Sequence, residues 1–166
     1  MLFRSNDTAT TEIYTRLYTL SLHDALSISQ VAAEAALNGD QACIAPMVKA
    51  FRERHDYVVG ALNAMPGVKC LRAGGAFYAY PYVGDAIRAL HVNGLIAAPT
   101  DLAFSAYLLE KALVAVVPGS AFGTEAYVRI SFATSMANLE KAMTRMHSVL
   151  AKTESVSELA ASAMTR

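Results

Sequence analysis

The sequence predicts an α/β (α+β) layer domain in which a short, mostly antiparallel sheet is covered by helices on one side. Three observations predict it. An apolar stripe at helical spacing marks a long helix near 41–65, period-two runs bounded by Gly and Pro recur between 68 and 133, and an amphipathic helix follows them.

In chain order, "QVAAEAALN" at 30–38 reads as a short helix stopped by Asn38-Gly39. Asp40 is placed to cap a long helix that reaches Met65 and ends at Pro66-Gly67. Ile44, Val48, Phe51, Val58, Leu62 and Met65 form its apolar stripe. Lys49 with Glu53, and Arg52 with Asp56, stand four apart as solvent-facing pairs. Next, Val68–Leu71 and Ala76–Tyr80 read as strands meeting near Gly74-Gly75. Residues 84–99 lack clear periodicity and read as loop with a helical turn. A helix follows from Thr100 or Asp101 to Lys111, carrying Leu102, Tyr107, Leu108 and Leu109. "ALVAVVPG" reads as a buried strand stopped at Pro118-Gly119, and "AYVRISFA" as another. Ser135 then caps a helix with Leu139, Met143, Met146 and Leu150 inward, and 152–166 reads as a frayed polar tail.

Composition excludes several function classes. Hydrophobic residues make up 54% and charged ones 17%, which argues against disorder over the whole chain. Fourteen Lys and Arg balance fourteen Asp and Glu, so no basic footprint for nucleic acid is present. No apolar run approaches the roughly 18 residues that span a membrane. The N-terminus lacks the charged-then-apolar order of a secretory signal, so the cytoplasm is the expected compartment. Cys43 and Cys70 form no CxxC pattern and read as structural thiols. His55 falls on the apolar stripe with no second ligand at metal spacing, so it reads as a packed histidine and no metal site is expected.

The chemistry concentrates on "YVRIS". Strand alternation turns Val128, Ile130 and Phe132 to the core and Tyr127, Arg129 and Ser131 to the opposite face. A mid-strand arginine must find a partner or reach water. Its planar fork of donors suits a carboxylate, gripped by two parallel hydrogen bonds. An edge-strand arginine reaching solvent satisfies the same pattern.

"GGAFYAYP", "VAVVPGSAFG" and "VRISFATS", in this order and followed by an amphipathic helix, resemble the C-terminal part of class I/II aminotransferases. These are pyridoxal-phosphate enzymes of the aspartate aminotransferase fold type (fold type I). "SISQVAAEAALNGDQ" and "FRERHDYVVGALN" fit the same family just upstream, so the likeness spans Ser27 to Leu150. The resemblance implies the small C-terminal domain over 27–151, with a remnant of the large-domain end at about 27–40. It implies that Arg129 binds the substrate's α-carboxylate, that Phe77 and Tyr78 line the mouth of the same cleft, and that Phe122 anchors the loop beside it. It further implies pyridoxal phosphate as cofactor, amino acids and 2-oxo acids as substrates, and a homodimer. The cofactor-carrying lysine of the family should lie well upstream of Ser27, and the pyridine-nitrogen aspartate and phosphate-binding residues further still. Lys49, Lys69, Lys111, Lys141 and Lys152 fall in segments that match elsewhere. No residue of this chain is therefore expected to be catalytic or to bind the cofactor, and the chain alone is expected to be inactive. A lyase or synthase of the same fold, or a non-catalytic ligand-binding module, are the alternatives.

The opening stretch, "NDTATTEIYTRLYTLSLHDAL", changes character at about Ser27. Ser21, His23 and Asp24 superficially make a hydrolase set, but such triads are assembled from distant segments on a rigid scaffold. The stretch better resembles a translated sequencing adapter, with "NDTATTEIYT" and "TLSLHDAL" in one frame and "LFRS" in another. Residues 1–26 are thus expected to be non-native, probing nothing about function.

Overall fold

The computed structural model describes residues 27–164. Residues 1–26, with Ser21, His23 and Asp24, lie outside the described residues, as does the expectation placed on them. The chain divides into two units, Met1–Pro46 and Met47–Arg166.

In the first unit, helix α1 spans 27–38 and is exposed throughout. Gly39 N–H donates to Ala35 O at 2.9 Å, and Gln41 Nε2 donates to Ala36 O at 2.7 Å, together closing the helix end. Asp40 heads a turn instead of capping a helix, its Oδ1 accepting Ala42 N–H at 2.9 Å.

Helix α2 (Ile44–Asn63) is shorter at both ends than the expected 41–65 and buries only the C-terminal half of its stripe. Val58, Val59 and Leu62 are buried, whereas Ile44 and Val48 are exposed. The expected Lys49–Glu53 and Arg52–Asp56 pairs do not form among the described residues. Asp56 instead meets Arg72 at 3.4 Å and His55 at 3.1 Å, because the segment after the helix folds back over its flank. Asn63 fixes that return: its Oδ1 accepts Cys70 N–H at 2.8 Å, and its Nδ2 donates to Cys70 O at 2.9 Å. His55 packs as a core-edge histidine, edge-on to Phe132 at 5.8 Å, its Nε2 accepting Ala73 N–H at 3.2 Å.

The tight hairpin expected at Gly74-Gly75 is replaced by a wider excursion. Lys69 and Tyr82 form an isolated antiparallel bridge, and only Tyr78–Ala79 (β1) continues as strand. Residues 84–92, expected to be mostly loop, form helix α3 (Gly84–Val92). Val83, Ala86, Ile87 and Leu90 bury one face at the i, i+3, i+4, i+7 spacing, a pattern that the small Ala86 makes easy to miss.

Helix α4 (Asp101–Tyr107) begins at Thr100, whose side chain accepts Ala103 N–H at 3.2 Å, so Thr100 and not Asp101 is the cap. It passes into a π turn, Leu108–Ala112. The buried apolar side chains are Phe104, Tyr107, Leu108 and Ala112, with Asp101 and Ser105 buried beside them, while Leu102 and Leu109 are exposed. "ALVAVVPG" is a buried strand neither in length nor in burial. Only Val117–Pro118 (β2) pairs, half-buried, because it forms one edge of the sheet. A 3-10 turn (Gly119–Phe122) leads to β3 (Val128–Ser131).

The sheet is antiparallel with β3 between β1 and β2, in register Tyr78↔Ser131 and Val117↔Arg129. Val128, Ile130 and Phe132 are buried as the alternation requires. Helix α5 (Met136–Met164) covers the core with Leu139, Met143, Met146 and Leu150, and Ser135 Oγ accepts Asn138 N–H at 3.3 Å at its start. Its backbone stays helical past Lys152 to Met164, where a frayed tail was expected. Neither Gly nor Pro occurs in that stretch, and Leu159, Ala160, Ala161 and Ala163 favour helix. Among the described residues no helix is long and apolar enough to cross a membrane.

Two predictions follow from backbone and burial. Leu113 closes the π turn in the left-handed region (φ 55°) with its side chain largely exposed. An L side chain there costs about 1–2 kcal/mol, and glycine's extra unfolded-state freedom returns about 0.5–1 kcal/mol. Leu113→Gly therefore stabilises the chain by about 0.5–1 kcal/mol in urea melts. Cys70 is buried and Cys43 exposed, and burial pushes the Cys70 thiol above its usual range. A disulfide probe therefore labels Cys43 first, and Cys70 only on unfolding. The folded Cys70 holds its proton to higher pH than the unfolded chain does. Its stabilising contribution is full below the unfolded cysteine value of about 8.5 and declines as pH rises beyond it, read as a falling urea midpoint.

Candidate anion-binding site

Beta alternation builds the site. Arg129 sits on the central strand between two core-facing neighbours, Val128 and Ile130, so its side chain leaves on the opposite face. On that face β1 and its continuation contribute Tyr78 and Tyr80, and the residue before β3 contributes Tyr127. Tyr80 and Tyr127 stack at 5.2 Å with 13° between rings, and Tyr82 meets Tyr127 edge-on at 5.5 Å.

The guanidinium of Arg129 lies 4.4 Å from the ring centroid of Phe122 and 5.6 Å from that of Tyr78. Both distances fall within the range of cation–π attraction, about 0.5–1 kcal/mol for each ring at an exposed site. Tyr80 touches Phe122 in turn at 6.5 Å, and its hydroxyl donates to Gly119 O at 3.5 Å. Among the described residues Arg129 makes no ion pair. It is half-buried and held against two aromatic faces.

Phe122 reaches Arg129 because the 3-10 turn is held tightly. Gly119 N–H donates to Tyr127 O at 2.8 Å, and Thr124 N–H donates to Gly119 O at 3.1 Å. A Cβ on Gly119 would stand 2.3 Å from Thr124 O and 2.8 Å from Tyr127 O, so only glycine permits this approach. Asp101 adds a hydrogen bond from beneath, its Oδ2 accepting Ser120 N–H at 2.6 Å.

Of the four residues expected at the site, Arg129, Tyr78 and Phe122 come together. Phe77 adjoins them through the Tyr78 ring. One residue ahead of Tyr78 and before β1 begins, its ring meets that of Tyr78 edge-on at 5.8 Å and also lines an apolar groove of about 410 Å³ with Met47, Val48, Phe51 and His55. Sequence reasoning missed Tyr80 and Asp101. Tyr80 was visible in the period-two series Tyr78, Tyr80, Tyr82; Asp101 resembled an ordinary helix-cap aspartate.

The described residues do not fit pyridoxal phosphate. Lys69 is 75% exposed and faces Asp85 at 3.6 Å, and Lys111 is occupied by Glu110 at 2.7 Å. Lys49 and Lys141 stand exposed on α2 and α5. None of these lysines has a hydrogen bond or ion pair to the Arg129 face, so no step through that cofactor is derived from this chain.

Comparison with known proteins places the site in context. The family pattern "Aminotransferase class I and II" matches residues 14–146, beginning inside the stretch set aside as adapter-like. An aspartate/prephenate aminotransferase of Nitrosomonas europaea is 56% identical over 124 residues, covering 75% of this chain and 31% of that protein. An aspartate aminotransferase of Rhizobium meliloti is 46% identical over 72% of this chain and 29% of its own length. Among solved structures, the aspartate aminotransferase from Rhizobium meliloti superposes with a TM-score of 0.65 at 42% identity, over 75% of this chain and 31% of that one. The alanine aminotransferase from Pyrococcus furiosus gives 0.64 at 30% identity, over 74% and 29%. The chain thus spans about a third of the length of these relatives.

Gly119→Ala tests the turn. The added methyl forces backbone apart, and the expected cost is about 1–3 kcal/mol in chemical denaturation. Gly123→Ala serves as the comparison, since a Cβ there meets nothing within 4 Å and only the positive φ of 77° opposes it.

Proposed function

Because the chain belongs to the class I and II aminotransferase family, we propose that Arg129 is the group by which it binds the α-carboxylate of an amino acid or 2-oxo acid. The whole protein, on this reading, transfers an amino group between the two. A homodimer using pyridoxal phosphate in the cytoplasm is part of the same proposal and rests on family likeness alone.

One observation supports the carboxylate assignment above the others. A half-buried guanidinium is fixed between Tyr78 and Phe122 and makes no ion pair among the described residues. An arginine serving only as an ion-pair partner would have a carboxylate beside it, as Arg72 has Asp56 and Arg88 has Asp85. Held by aromatic faces, the fork loses little further freedom when it accepts an anion, and a carboxylate matches it with two charge-assisted hydrogen bonds.

Among the described residues no lysine stands beside Arg129, so we infer that by itself the chain performs no transamination. Adding pyridoxal phosphate and an amino donor is expected to give no turnover of the donor; sustained turnover overturns that inference.

Carboxylate binding is tested separately by titrating the 15N-labelled chain with 2-oxoglutarate while following the backbone amide resonances of β3 and of the Gly119–Phe122 turn. A saturable shift is expected, with a Kd on the order of 1 mM, equivalent to ~−4 kcal/mol. Arg129→Ala abolishes it, and Arg129→Lys weakens it severalfold because a point charge replaces the fork. The diester of the same acid gives no shift. A titration that Arg129→Ala leaves unchanged overturns the assignment.

A further inference from the structure

Asp101 is only 4% exposed and makes no ion pair among the described residues. Capping does not require that burial. Thr100 already caps α4, and an aspartate at the first helical position ordinarily faces water while favouring the helix dipole. The Asp101 carboxylate is instead divided between two elements. Oδ1 accepts Leu102 N–H at 3.0 Å within its own helix, and Oδ2 accepts Ser120 N–H at 2.6 Å in the turn nineteen residues on. Ser105 Oγ donates to the Asp101 carbonyl at 2.8 Å, which holds the first turn of α4 behind the carboxylate.

Ser120 lies two residues before Phe122 in one 3-10 turn, and Phe122 is the ring closest to the Arg129 guanidinium. The geometry points to Asp101 as a positioning residue for the anion clamp: by holding the Ser120 amide it fixes Phe122 against Arg129 and so aims the guanidinium. A buried carboxylate is costly to keep, and here its two oxygens are spent on backbone N–H groups of separate segments. That arrangement couples the start of α4 to the site. The consequence for carboxylate affinity rests on the function proposed above; the consequence for Arg129 geometry does not.

Two variants divide the hydrogen bonds. Asp101→Asn keeps one acceptor oxygen and can satisfy only one of the two amides, whereas Asp101→Ala satisfies neither. Ser120 amide exchange is expected to accelerate about tenfold or more in Asp101→Ala, since hydrogen bonds to charged groups contribute ~1.5–3 kcal/mol, and by a smaller factor in Asp101→Asn, whose neutral oxygen is the weaker acceptor. The Arg129 Nε–H resonance, shifted by the ring beside it, is expected to move in the same direction as in Phe122→Ala. Affinity for 2-oxoglutarate is expected to fall about threefold to tenfold, a loss of ~0.7–1.4 kcal/mol.

Faster Ser120 exchange with an unmoved Arg129 resonance overturns the proposal and leaves Asp101 a local helix residue. Loss of fold in both variants also overturns it, assigning the carboxylate to folding; if only the Ala variant unfolds, the Asn variant decides. Absence of 2-oxoglutarate binding by the unaltered chain counts against the carboxylate function alone, because the resonance comparison still reports on positioning.

Discussion

The alternation of β3 governs both halves of this molecule at once. Val128, Ile130 and Phe132 lock one face of the strand into the core, and that register obliges Arg129 to leave from the other. A slip of one residue would bury a guanidinium and expose three apolar side chains, so core and site cannot be altered independently. Central placement strengthens the constraint. β3 pairs with β1 and β2 on its two sides, so its backbone is held along both edges while its arginine projects.

Around that fixed point the site is made of surfaces with little freedom to lose. Tyr80 and Tyr127 stack on one another, Tyr78 and Phe122 flank the cation, and the turn that bears Phe122 is held by backbone hydrogen bonds and by Asp101. Aromatic faces attract a cation without presenting an oxygen that would compete for its N–H groups. An aspartate in the same place would satisfy the guanidinium and remove its reason to take a ligand. Support by rings in place of acids leaves the fork ordered and without an ion pair among the described residues.

The parts of this arrangement that follow from period were legible in the chain. Alternation through "YVRIS" gave the direction of Arg129, and the spacing of Leu139, Met143, Met146 and Leu150 gave the buried face of α5. Features that depend on where a segment lies in three dimensions were not. Val117–Pro118 is as apolar as a central strand and proves to be an edge. The stripe on α2 runs on past the core, with Ile44, Met47 and Val48 exposed, since spacing says which face is apolar and nothing about what covers it. Phe77 and Tyr78 are adjacent in a motif that treats them alike, yet Tyr78 flanks the guanidinium while Phe77 lines the apolar groove beside α2. Asp101 was readable as a cap and unreadable as a long-range partner, because its acceptor role depends on a contact nineteen residues away.

Orientation and dielectric are separable contributions to binding, and this chain supplies the first more fully than the second. Two unit charges 4 Å apart attract by about 1 kcal/mol in bulk water and about 4 kcal/mol at an effective dielectric of 20. Arg129 is half-buried, with its donor edge open, so a carboxylate docked here is still largely solvated and the attraction stays near the lower figure. Aromatic packing on Arg129 contributes chiefly by fixing direction, which lowers the entropic cost of binding without removing water. Covering the open edge would strengthen the same pair of hydrogen bonds without moving any atom of the clamp. The relatives are about three times as long as the region they share with this chain, which leaves ample protein to provide such a cover. A guanidinium projecting from a strand that the core already fixes has its direction set by the fold, while the surroundings of its open edge set the dielectric.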